Sequence, residues 1–93
     1  MLQDLGDLAG ARAAYERALC IFERVLGPDH PNVATLVNNL GGVLQALGDL
    51  AGARAACERA LRIFEKSLPP EHPNIRRVRG NLEGLDRAAR GRK

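Results

Sequence analysis

Aromatic side chains are scarce: only 3% of the 93 residues are Phe, Tyr or Trp, and there is no Trp at all. With 45% hydrophobic residues overall, the apolar content rests on Leu, Ala, Val and Ile, a mixture suited to helices packed closely through small side chains. No apolar run approaches the ~20 residues that span a bilayer. The opening Met1-Leu2-Gln3-Asp4 lacks the basic and apolar regions of a secretory leader, so the expectation is a soluble, cytoplasmic protein with no membrane partner. Cysteines number two, Cys20 and Cys57, with no CxxC spacing and no histidines at metal-ligand intervals. They read as reduced thiols, and neither a metal nor a cofactor is expected. A chain this short holds one domain with one thin core, so residues 1–93 are taken as a single unit.

What the chain does have is a repeat. Leu5-Gly6-Asp7-Leu8-Ala9-Gly10-Ala11-Arg12-Ala13-Ala14 returns without a gap as Leu47-Gly48-Asp49-Leu50-Ala51-Gly52-Ala53-Arg54-Ala55-Ala56. The match continues through Glu16-Arg17-Ala18-Leu19 and Glu58-Arg59-Ala60-Leu61, and through His30-Pro31-Asn32 and His72-Pro73-Asn74. An offset of about 42 residues is in the range of stacked structural repeats.

Within a unit the apolar positions recur at helical intervals. Leu8, Ala11, Tyr15, Ala18, Leu19, Phe22, Val25 and Leu26 form one stripe, and Val33, Leu36, Val37, Leu40, Val43, Leu44 and Leu47 form a second. Each unit is therefore two amphipathic helices. Gly6-Asp7 and Gly48-Asp49 read as a left-handed glycine closing one helix and an aspartate capping the next. Gly27-Pro28-Asp29-His30-Pro31 ends a helix and restarts one with proline in the first turn. Helices are expected at about 7–26, 31–47, 49–68 and 73–90, with connections short enough to make sequential helices antiparallel neighbours.

Leu40, Gly41, Leu44, Ala53, Cys57 and Ala60 resemble the small-and-large consensus of the tetratricopeptide repeat. The longer period and the segment Gly27 to Leu40 are similar to the kinesin light chain-like branch of that family. The resemblance implies an all-α fold of antiparallel helix-turn-helix repeats, stacked as a short right-handed α-solenoid. It also implies that the helices called A line a concave face. Met1–Leu5 aligns with Val43–Leu47, the last turn of an A helix, so the four helices run in the order B, A, B, A.

A repeat helix cannot bury its apolar face alone. The side of the first B helix carrying Leu8, Ala11, Tyr15 and Ala18 should lie against an A helix that is missing, and each large side chain buried is worth ~1.5–3 kcal/mol. Two readings stand side by side: self-association, most simply a two-fold homodimer, or a fragment of a longer repeat array. At the other end, Glu83 and Asp86 replace Gly41 and Leu44, while Arg76, Arg77 and Arg79 replace Ala34, Thr35 and Val37. That is the pattern of a polar terminal cap.

Catalytic chemistry finds no support, and an enzyme is not expected. His30 and His72 occupy equivalent loops before helix-starting prolines and read as parts of the turn. Neither cysteine has a base by spacing, and Gly41-Gly42 and Gly80/Gly84 lack the context of a phosphate loop. Arg12–Glu16 and Arg54–Glu58 are ordinary four-residue surface pairs.

The resemblance directs attention to the A-helix face. There Thr35, Asn38, Asn39, Gly42 and Gln45 from one helix, with Arg77, Asn81, Gly84 and Arg87 from the next, would share a groove. Asparagine can donate to and accept from an extended peptide backbone at once, and arginine favours a carboxylate. The expected function is protein–protein interaction with another protein or peptide, one with an acidic segment among the candidates. The alternative is non-specific binding of nucleic acid or another anionic partner through Arg76, Arg77, Arg79, Arg87, Arg90, Arg92 and Lys93, where most of the excess in the formal charge of +3 lies. Interleaved aromatics and a recognition motif are missing from that stretch.

Overall fold

A computed structural model describes residues 5–90, which form four helices and no strand: α1 (Leu5–Leu26), α2 (Pro31–Ala46), α3 (Leu50–Ser67) and α4 (Pro73–Arg90). Helix α2 packs on α1, α3 packs most extensively on α2, and α4 packs on α3. The result is a short α-solenoid of helix-turn-helix units in B, A, B, A order.

The helix ends follow from their residues. Gly48 adopts φ 90°, its N–H bonding Gln45 O at 3.0 Å while Asp49 N–H bonds Leu44 O at 2.9 Å. That pair of bonds closes α2 in a left-handed turn that any β-carbon would strain. Asp49 then caps α3, its carboxylate accepting from Gly52 N–H at 2.9 Å. Gly27, at φ 93°, closes α1 with a bond to Glu23 O at 3.0 Å. The equivalent position at the end of α3 is Pro69, and Leu68 before it is extended, at φ −128° and ψ 154°, as a residue preceding proline prefers.

Gly6-Asp7 does not behave like Gly48-Asp49. It lies inside α1, although a break was expected there. The left-handed turn at Gly48 depends on carbonyls of a preceding helix, and the residues that would supply them to Gly6 fall among 1–4. The expected last turn of an A helix at Met1–Leu5 lies largely outside the described residues.

The core is built from Val33, Ala34, Val37, Leu40 and Leu44 of α2, Ala53, Cys57, Ala60, Ile63 and Phe64 of α3, and Ile75, Val78 and Leu85 of α4. Helix α1 packs the partly buried Tyr15, Leu19 and Phe22 against this cluster, and its Leu8 is buried outside it. Helices α2 and α3 approach closely at Gly41, where a β-carbon would stand 3.3 Å from Cys57 Sγ. Ion pairs join neighbouring layers at the surface: Glu23–Arg59, Asp29–Lys66, Glu65–Arg79 and Arg54–Asp86. Exposed pairs of this kind contribute little each, but they mark which surfaces face one another.

Candidate protein-binding site

Helices α2 and α4 both lean on α3, and between their N-terminal halves lies a cleft of about 210 Å³ lined by Thr35, Asn38, Asn39, Phe64, Asn74 and Arg77. Phe64, buried on α3, supplies an apolar floor, while asparagines, a threonine and one cation form the walls. Asn38 Oδ1 is occupied, accepting from Asn81 Nδ2 at 3.1 Å and weakly from the Cys57 thiol at 3.8 Å. Thr35 Oγ1 turns back to Pro31 O at 3.3 Å. Asn39 and Arg77 are exposed and make no side-chain hydrogen bond or ion pair among the described residues. With the side chain of Asn74, they are the polar groups of the cleft that have no partner among the described residues.

Of the residues singled out from sequence, Thr35, Asn38, Asn39 and Arg77 meet in this cleft, and Asn81 joins it through Asn38. Gly42, Gln45, Gly84 and Arg87 sit farther along their helices and do not line it. The sequence reading passed over Phe64, because it belongs to a B helix, and Asn74, one turn before Arg77 on the same stripe. That spacing alone could have found Asn74.

The α1 surface differs from expectation. Leu8 is 8% exposed and so is no part of an open face, and Tyr15 packs against the core. Ala11 and Ala18 are half-buried, and with Ala14, Tyr15 and Leu36 they line a hollow of about 410 Å³. The large exposed side chains are Ile21, Val25 and Leu26, two of which had been placed on the inward stripe. The reason is geometric: the stripe is wide enough for two neighbouring helices, and α2 covers only one side of it.

Both histidines are helix caps. Nδ1 of His30 accepts from Asn32 N–H at 3.0 Å, and Nδ1 of His72 accepts from Asn74 N–H at 3.1 Å. Cys57 is buried, which pushes its thiol pKa up, with the nearby Glu58 charge adding to the shift; Cys20 is exposed. Among the described residues no group of three or more His, Cys, Asp or Glu side chains could hold a metal ion, and no helix is long and apolar enough to cross a membrane. Of the basic stretch, Arg76, Arg77, Arg79, Arg87 and Arg90 are exposed on α4, Arg79 being paired with Glu65. Arg92 and Lys93 lie outside the described residues.

A tetratricopeptide repeat family model matches residues 1–49, more than half of the chain. A second tetratricopeptide repeat model, of the kinesin light chain-like 42-residue type, matches residues 33–74. No curated protein matches the chain.

Proposed function

The chain belongs to the tetratricopeptide repeat family, whose repeats mediate protein–protein interaction, and we propose that it captures an extended peptide between α2 and α4. The observation that carries this reading is the cleft itself. An apolar floor at Phe64 is ringed by amides and by a cation, with Asn39 and Arg77 free to bond. A peptide backbone presents alternating donors and acceptors that an asparagine amide can match, and Arg77 adds preference for an acidic side chain or a terminal carboxylate. The family is a scaffold family, and no residue of the cleft is assigned a catalytic role.

The test is selection from a random peptide library against the intact chain, followed by titration of the recovered peptides into Asn39→Ala and Arg77→Glu variants. Binding weakened about tenfold or more in both, with helical content unchanged, supports the reading. Peptides that bind both variants as tightly as the parent place the site elsewhere.

A further inference from the structure

Helices α2 and α4 both rest on α3, and the ion pairs of α4, Glu65–Arg79 and Arg54–Asp86, also run to α3. Among the described residues a single side-chain hydrogen bond passes directly from α4 to α2, the one from Asn81 Nδ2 to Asn38 Oδ1 at 3.1 Å. Its acceptor is held from below by the thiol of Cys57, buried on α3.

The place of this bond matters as much as its existence. Asn38 stands one turn beyond Thr35 on α2, and Asn81 stands one turn beyond Arg77 on α4. The cleft reaches Asn38 and stops. Gly42 and Gln45 farther along α2, and Gly84 and Arg87 farther along α4, do not line it, and neither does Asn81 itself. The bond therefore lies at the end of the cleft, with its donor outside the lining. The repeat supplies no second bond of this kind. Asn81 is the equivalent of Asn39, which lines the cleft, whereas Asn38 is the equivalent of Gly80, which has no side chain to accept with.

We propose that Asn81 is a positioning residue for the peptide site: without touching the ligand, it holds α4 at one distance from α2 and so fixes the separation of Arg77 from Asn39 that a ligand must match. The proposal rests on the reading of the cleft as a peptide site. Two helices that share a support can pivot on it, and a site already held in its binding geometry spares the ligand the cost of ordering it. Asn81 is exposed, so its bond adds little to stability. What it restricts is the range of peptides whose acidic and apolar groups reach Arg77 and Phe64 together.

The test is one random peptide library selected in parallel against the intact parent chain, Asn81→Ala and Gly27→Ala, with the recovered pools sequenced. Gly27, at φ 93°, closes α1 and is no part of the cleft lining. Alanine there destabilises the fold without altering the cleft walls, and so controls for lost stability. The expected result is one preferred spacing between acidic and apolar positions in the parent and Gly27→Ala pools and a mixture of spacings in the Asn81→Ala pool. Parental peptides should bind Asn81→Ala about fivefold or more weaker. Parental peptides that lose affinity for Arg77→Glu yet bind Asn81→Ala as tightly as the parent, with the spacing in its pool unchanged, overturn the proposal and leave the cleft reading in place. A Gly27→Ala pool as mixed as that of Asn81→Ala also overturns it, because lost stability alone then explains the effect. Parental peptides indifferent to Arg77→Glu, or no recovered peptide, overturn the cleft reading and this proposal with it.

Discussion

Asn81 of α4 donates its side-chain amide to Asn38 Oδ1 of α2 across 3.1 Å, tying together the two helices that border the cleft. The same oxygen accepts from the Cys57 thiol of α3 at 3.8 Å, so one side-chain carbonyl joins three helices. Asn38 is therefore committed to spacing the walls, whereas the side chain of Asn39, its neighbour in sequence, makes no hydrogen bond among the described residues.

Replacing Asn38 with alanine leaves the Cys57 thiol and the Asn81 amide without this acceptor. The expected loss is about 0.5–1.5 kcal/mol of stability, which for a domain of this size lowers Tm by roughly 4–8 °C per kcal/mol. Asn81→Ala should cost less, since that side chain is exposed and water can replace its partner. In the Asn38→Ala background Asn81→Ala should cost almost nothing, and a thermal double-mutant cycle reads the coupling directly. Additive losses would show that the two amides do not act together.

Three glycines should respond to alanine with different signs. Gly48 holds φ 90°, and alanine there is expected to destabilise by about 1–2 kcal/mol. Gly41 has Cys57 Sγ and Ala53 O within 3.4 Å of its β-carbon position, so alanine fits only if Cys57 gives by a few tenths of an ångström, and its effect is expected to fall between those at the other two positions. Gly42, inside the same helix, has no atom within 4 Å of that position, and alanine should stabilise by roughly 0.5–1 kcal/mol through helix propensity. Urea unfolding of the three variants checks the order.

The repeat made the four helices legible, because its two units agree on where apolar stripes begin and end. It could not tell that Leu5-Gly6-Asp7 and Leu47-Gly48-Asp49 would differ. A glycine turn is stabilised by carbonyls of the helix before it: Gly48-Asp49 uses those of Gln45 and Leu44, whereas the equivalent positions before Gly6 lie outside the described residues. The cleft was partly legible for a similar reason: Thr35, Asn38, Asn39 and Arg77 share the A-helix stripe, but Phe64 becomes its floor only through packing. On α1, periodicity showed which side is apolar. It did not show which part α2 would cover, and so it placed Leu8 in the open and Val25 inside.

The two histidine caps give a prediction about tautomers. Each Nδ1 accepts a backbone N–H, so both rings should carry their proton on Nε2, which nitrogen chemical shifts can establish. His30→Ala and His72→Ala should each cost about 0.5–2 kcal/mol, whereas asparagine, a natural N-cap, should retain most of the stability. Rings protonated on Nδ1 would contradict the caps outright.

The two cysteines should be chemically unequal. Cys20 is exposed, and Cys57 is buried with its thiol pKa raised above the ordinary 9.0 by burial and then by Glu58. Iodoacetamide at mildly alkaline pH should modify Cys20 in the folded protein and reach Cys57 only on unfolding, because the thiolate is the reactive form. The same shift ties stability to pH. The folded state holds the Cys57 proton more tightly than the unfolded state, so this contribution is fully present below about pH 9 and is lost as pH rises through the folded pKa. The stability advantage of the parent over Cys57→Ala, measured by urea unfolding, should therefore be constant between about pH 7 and 8 and shrink above pH 9. An advantage that stays constant into the alkaline range, or alkylation of both thiols at equal rates, would mean that the Cys57 thiol is open to solvent.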